Sequence, residues 1–131
     1  MEVKLLLDTS AYSGFRRGDP SVVEKISGSD AVLISPVMLG ELMYGFRKGG
    51  KFEQNMRMIR RVLDHEAVEI VPLGEVTADR YSRIVMQLKK DGSPIPINDV
   101  WIAAQTMEHG AELLTYDRHF ERVAGLAYTI F

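Results

Sequence analysis

The sequence predicts an α/β sandwich with a mainly parallel central sheet. Short apolar runs of strand length recur at residues 3–7, 31–34, 68–71 and 112–115 with little polar alternation. Strands buried on both faces of a parallel sheet read this way. Segments with helical spacing and helix start signals separate the runs, as in βαβ units. No internal repeat, low-complexity stretch or linker breaks the 131 residues. The chain therefore reads as a single domain over 1–131, long enough to bury a sizeable core.

Each element follows from local chemistry. Residues 3–7 form the first strand, closed by Asp8. No element is assigned between Asp8 and Asp19. Asp19-Pro20 is a helix start with proline at the first helical position, and Val22, Val23 and Ile26 give a stripe that Gly28 closes. After the strand at 31–34, Ser35-Pro36 repeats the start signal, and Gly49-Gly50 stops the helix that follows. Phe52, Met56, Ile59 and Leu63 lie on one stripe of the next helix. The strand at 68–71 ends at Pro72. Tyr81, Ile84, Val85 and Leu88 mark an amphipathic helix running from Glu75 to near Lys90. The composition of residues 91–96, rich in Gly, Ser and Pro, makes a loop. Asn98 or Asp99 then starts a helix ending near His109-Gly110. A strand at 112–115, a helical turn or two from Asp117, and a last strand at 127–131 complete the chain.

Composition excludes several classes. The 46% apolar and 26% charged content suits a globular domain. No apolar run nears the roughly 20 residues of a membrane helix. The N-terminal residues do not resemble a signal peptide, and a cytoplasmic location is expected. Absent cysteines exclude disulfides and thiolate metal sites. The net charge of −2 disfavours nucleic acid at first sight. Basic pairs at Arg16-Arg17, Arg47-Lys48, Arg60-Arg61 and Lys89-Lys90, with Arg118 and Arg122, keep a polyanion partner possible. Each pair is as well explained as a solvated helix end.

Four acids carry the functional reading. Asp8 ends the first strand, and Asp117 follows Leu113-Leu114-Thr115-Tyr116. Asp99 sits between Asn98 and Val100-Trp101-Ile102, and Glu41 is the only charge between Val32 and Phe46. Sites in open α/β sheets form beyond the carboxyl ends of the strands, and all four acids have a route to that edge. Converging carboxylates repel and call for a cation; an all-oxygen set suits Mg²⁺ or Mn²⁺. Thr9, Ser10 and Thr115 are candidate supporting hydroxyls. Against this, Asp8, Asp99 and Asp117 each sit where a helix cap belongs. Glu41 has Val37, Met38, Tyr44 and Gly45 as helical neighbours, so it is expected to be buried and unpaired, which capping does not explain. His65 and His109 suit helix ends. His119 either touches a phosphate or packs beside Phe120. Met38, Met43, Met56 and Met58 are core or contact residues, and Trp101 packs. The chain has no glycine-rich phosphate loop, nucleophilic serine motif or metal-spaced histidine pair.

With these residues in view, the chain resembles the PIN-domain ribonucleases and, within them, the VapC toxins of type II toxin–antitoxin modules. The resemblance spans essentially the whole length. It rests on Leu5-Leu6-Leu7-Asp8-Thr9-Ser10, on Ser35-Pro36-Val37 leading to Gly40-Glu41-Leu42, and on Asn98-Asp99 followed by Ile102-Ala103-Ala104. It ends on Leu113-Leu114-Thr115-Tyr116-Asp117-Arg118-His119-Phe120. It implies a PIN-like three-layer α/β/α sandwich. It also implies that Asp8, Glu41, Asp99 and Asp117 hold Mg²⁺ (or Mn²⁺) as the catalytic quartet, with Thr9, Ser10 and Thr115 in support. Asp8 and Asp99 would hold the ion chiefly; Glu41 and Asp117 would complete the site, hold a second ion or take the proton of the attacking water. Arg16, Arg17 and Arg118 are the candidate contacts to RNA phosphates. The implied partners are structured RNA such as tRNA, a second copy in a homodimer, and a VapB-like antitoxin that Phe52, Met56 and Ile59 would meet. Thr106 departs from the family's usual alanine and bears on packing. The rival readings are a haloacid-dehalogenase-like phosphatase, which lacks its second Asp because Ser10 stands there, a non-toxin PIN nuclease, and a non-enzymatic binding domain.

Overall fold

Three consecutive leucines of the first strand, Leu5, Leu6 and Leu7, are almost fully buried. Successive strand side chains point to opposite faces, so both faces of the sheet are covered. The computed structural model describes residues 2–131 and shows what covers them. Five strands, β1 (Lys4–Leu7), β2 (Ala31–Ile34), β3 (Val68–Ile70), β4 (Glu112–Thr115) and β5 (Tyr128–Ile130), form one sheet in the order β3-β2-β1-β4-β5. Every pairing is parallel. Six helices flank it: α1 (Thr9–Arg16), α2 (Pro20–Ser27), α3 (Pro36–Gly49), α4 (Phe52–Leu63), α5 (Glu75–Asp91) and α6 (Ile97–Glu108). A 3₁₀ turn covers Arg118–Arg122. The expected sandwich is therefore present, with a wholly parallel sheet.

The start signals work as read. The Asp19 carboxylate accepts from Ser21 N at 3.0 Å, and the Ser35 hydroxyl accepts from Val37 N at 3.0 Å. Gly50 closes α3 at φ +77, a conformation that costs any other residue more. Helix α1 is the element no signal assigned. It is short, and Ser, Tyr and Gly dominate it. Its start is set by Asp8, whose Oδ1 accepts from Ala11 N at 2.9 Å. It buries Ala11, Tyr12 and Gly14. A Cβ on Gly14 would fall within 3.0 Å of the Tyr116 ring, so glycine there lets β4's exit pass close to α1.

Helices α5 and α6 pack extensively. Tyr81 and Trp101 stack at 4.0 Å and 17°. Gln105, fully buried, donates to the Val71 carbonyl at 2.9 Å and the Pro72 carbonyl at 3.3 Å. Thr106 is buried and donates back to the Ile102 carbonyl at 2.8 Å, the packing role expected of it.

Ile59 corrects one expectation. It is 1% exposed and belongs to the core, so its side chain offers a partner no surface in this conformation. Met56 and Phe52 on the same helix stay half-buried, and the Arg47 guanidinium covers the Phe52 ring at 3.9 Å.

Candidate metal centre

Strand β1 lies between β2 and β4 and leads toward β2 on one side only. The gap between β1 and β4 is thus the topological switch point, where a crevice opens beyond the carboxyl ends of the strands. Leu7 pairs with Leu114, so the residues that follow, Asp8 and Thr115, face each other across this gap.

Asp8 is held by three donors. Its Oδ1 accepts from the Ser10 hydroxyl at 2.7 Å and from Ala11 N, and its Oδ2 accepts from the Thr115 hydroxyl at 2.5 Å. Thr115 Oγ1 accepts from Asp117 N at 2.9 Å, and Ser10 Oγ accepts from Tyr116 N at 2.9 Å. Two hydroxyls therefore tie the exit of β1 to the exit of β4. Burial pushes the Asp8 carboxyl above its ordinary value. Thr115, Ala11 and Ser10 oppose this, and the charge of Asp117 adds to it. Asp117 caps its own turn, accepting from His119 N at 2.9 Å. For Asp8 and Asp117, capping and membership of the cluster are both true.

Asp99 is different. It sits in the first turn of α6 but is not its cap; Pro96 stands there, with no side-chain bond. Its carboxyl is raised to about 6, first by burial, then by the charge of Asp117. Asp8 and Glu41 add smaller repulsions, and the nearby His119 partly offsets them. One carboxylate thus feels the other three, and four distant segments converge on it.

Glu41 corrects a second expectation. It is exposed, and it has partners: Thr9 Oγ1 donates to Oε1 at 3.0 Å and Asn98 Nδ2 lies 3.4 Å from Oε2. Its own helix hides this, because the partners come from α1 and α6. Glu41 is therefore a fixed, solvent-facing carboxylate at the mouth of the crevice.

His119, expected either to touch a phosphate or to pack beside Phe120, stands among the acids instead. Its Nδ1 stands 3.0 Å from Asp117 Oδ1 and 3.5 Å from Asp99 Oδ2. Ligand atoms of Asp99, Asp117 and His119 all lie within 4.8 Å of one another. The only hint in the sequence is its spacing two residues after Asp117. The other histidines serve as expected: His65 follows α4 and accepts from Ala67 N, and His109 caps α6.

The donor set fits a hard divalent ion. It is rich in carboxylate oxygen and carries surplus negative charge. The candidate phosphate contacts sit outside this set. Arg118 is largely exposed and pairs with Glu121 at 2.7 Å, Arg16 is exposed at the end of α1, and Arg17 lies over the Tyr116 ring.

Comparison with known proteins assigns the fold to a family. A family model described as PIN domain matches residues 5–126. Ribonuclease VapC1 of Haemophilus influenzae (strain R2866) is 28% identical over 128 residues, covering 94% of each chain. The tRNA(fMet)-specific endonuclease VapC of Shigella flexneri is 31% identical over 133 residues, covering 95% of each chain. The solved structure of VapBC-1 from nontypeable Haemophilus influenzae aligns with a TM-score of 0.86 at 27% identity, over 98% of each chain. VapBC2 from Rickettsia felis, bound to a DNA fragment from its promoter, aligns at 0.87 with 24% identity, over 98% of this chain and 99% of that one; it speaks for the fold.

Proposed function

The chain belongs to the PIN domain family, and on that footing we propose that it is a metal-dependent endoribonuclease, the toxin of a VapBC-type toxin–antitoxin pair. The observation that carries the reading is geometric: ligand atoms of Asp99, Asp117 and His119 lie within 4.8 Å of one another, beside the Asp8 carboxylate that Thr115 ties to β4. Glu41 stands at the mouth, and the raised carboxyl of Asp99 agrees with this arrangement. A surface that only caps helices has no reason to bring four acids from four segments together.

Asp8, Asp99 and Asp117, with Glu41 at the mouth, would hold Mg²⁺ or Mn²⁺. Such an ion supplies charge neutralisation for a phosphodiester and lowers the pKa of water. The chain's own residues do the rest. Thr115, Ser10 and Ala11 N aim the Asp8 carboxylate and leave it little freedom. Glu41, held by Thr9, is the carboxylate open enough to accept a proton from the attacking water. In-line attack on the phosphorus breaks the bond to the 3′ oxygen, which leaves protonated. The products are a 5′-phosphate and a 3′-hydroxyl. Arg16, Arg17 and Arg118 would bind backbone phosphates on either side of the crevice. One relative that carries a tRNA-specific name makes a structured RNA such as tRNA the first substrate to try.

The proposed antitoxin has a fitting surface. A groove of about 590 Å³ lies between α1–α2 and α4, walled by Phe15, Ile26, Val62 and Val68 beside exposed Arg61 and His65. It suits an apolar segment carrying an acid; Phe52 and Met56, nearer the start of α4, are the further contacts proposed for it. Val76, Met86 and Ile97 on α5 and α6 are more than half exposed, and we propose these helices as the homodimer side. Among the described residues no helix is long and apolar enough to cross a membrane. A chain of residues 1–131 as one domain acting on cytoplasmic RNA is the working picture.

The test is cleavage of end-labelled tRNA by antitoxin-free protein with Mg²⁺, Mn²⁺ or EDTA. Metal-dependent cutting that leaves 5′-phosphate ends is expected. Cutting in EDTA, or 2′,3′-cyclic phosphate ends, would overturn the metal mechanism.

A further inference from the structure

Most of the cluster is oxygen, but one atom is not. His119 Nδ1 is buried and has no hydrogen-bond partner among the described residues. It is nonetheless close to two carboxylates, at 3.0 and 3.5 Å. Neither contact has hydrogen-bond geometry, though the ring's proximity still lowers the Asp99 carboxyl somewhat. A buried nitrogen in that state is costly unless something else binds it. The rest of the ring faces outward, since the side chain is 41% exposed while Nδ1 is enclosed. Its orientation is built in. Its own backbone N–H is fixed on Asp117 Oδ1, and the next residue, Phe120, is fully buried and locks the turn.

The spacings match those of neighbouring ligands on one ion. With bonds of about 2.1 Å, adjacent ligand atoms stand roughly 3.0–3.4 Å apart in octahedral or tetrahedral geometry. We propose that His119 Nδ1 is a ligand of the same centre as Asp99 and Asp117, making it a mixed carboxylate–imidazole site that selects first-row transition ions over Mg²⁺. The inference rests on the metal-centre reading above and narrows the class of ion. Imidazole nitrogen binds Mg²⁺ poorly and transition ions well, with affinity rising from Mn²⁺ to Co²⁺ in the same site. A lysine or arginine here would have served as a permanent counter-ion and kept metal out. An imidazole neutralises nothing permanently and offers a lone pair.

The test uses the full-length, antitoxin-free protein and bare metal ions. Binding of Mg²⁺, Mn²⁺ and Co²⁺ is measured by calorimetry for the natural chain, His119→Ala, His119→Asn and Asp99→Asn. Pulsed EPR of the Mn²⁺-loaded protein reads nitrogen coupling directly. The natural chain should bind Co²⁺ more tightly than Mn²⁺ and Mn²⁺ more tightly than Mg²⁺, with imidazole nitrogen coupling to Mn²⁺. Both His119 variants should lose that coupling and at least about tenfold in Co²⁺ affinity, with little change for Mg²⁺. Mn²⁺ binding that depends on Asp99 but shows no nitrogen coupling would overturn the role of His119 alone. Absence of binding by the natural chain, or binding indifferent to Asp99→Asn, would overturn the metal centre itself. Far-ultraviolet circular dichroism of His119→Asn, the milder change, identifies any loss of fold.

Discussion

Two polar regions of this molecule are buried in opposite ways. At the α5–α6 contact most polar groups are answered, the buried Gln105 Oε1 being an exception among the described residues. Thr77 accepts from Gly74 N and donates to Glu108, and the buried Gln105 spends its amide N–H groups on two backbone carbonyls. In the β1–β4 crevice, four acids gather with few donors. Asp8 is satisfied, but Asp99 has no capping bond and only the His119 ring beside it, at 3.5 Å. The first region is what polar residues look like when they serve the fold. The second is polarity that the fold restrains rather than satisfies, the pattern of a site awaiting a charged ligand.

The comparison can be broken at several points. Asp8→Asn keeps the α1 cap, because asparagine caps as well as aspartate, but removes a central negative oxygen. Cleavage should fall by about 1,000-fold while the unfolding midpoint changes little. Cleavage and stability both retained would mean that Asp8 is a cap and nothing more. Thr115→Val removes the donor to Asp8 and the acceptor for Asp117 N together. Metal affinity, measured by calorimetry, should drop between about 10- and 100-fold. Gln105→Ala probes the other region. It strips donors from two carbonyls and leaves a void, so urea unfolding should show a loss of about 2 kcal/mol. Cleavage by the folded fraction should be unchanged.

A gentler probe is pH. The Asp99 carboxyl sits at about 6 in the folded protein against an ordinary 3.8. The folded state therefore holds this proton more tightly than the unfolded chain. Its contribution to metal-free stability is full below the ordinary value and is lost as pH rises through about 6. Metal needs the ionised form, so its affinity moves the opposite way. It should weaken by up to tenfold per unit as pH falls below about 6. The difference in unfolding free energy between the natural chain and Asp99→Asn, followed from pH 4 to 7, isolates this one group.

The strands and the two proline-started helices were legible because burial on both faces and capping leave local marks. Helix α1 left none. Its hydrophobic partners are Tyr116 and the sheet, and the residue that starts it reads equally well as a metal ligand. The surroundings of Glu41 were hidden for a related reason. Thr9 and Asn98 lie 32 and 57 residues away, so inspecting its own helix face suggested a lone buried acid. The convergence of the acids could be expected from strand ends, since topology alone brings Asp8 beside Thr115. A place for His119 near a phosphate was one of two readings, but its contact with Asp99 and Asp117 could not be expected, because a 3₁₀ turn rather than an α-helix sets where its ring points.

Thermal unfolding of the natural chain and Asp99→Asn, each in EDTA and in Mn²⁺, tests the central claim most directly. Removing one of four mutually repelling charges should raise the midpoint in EDTA by about 3 °C. Mn²⁺ should raise the natural chain's midpoint and leave that of Asp99→Asn nearly unmoved. If Asp99→Asn is instead the less stable protein in EDTA, and Mn²⁺ raises both midpoints equally, the four acids are not one metal centre.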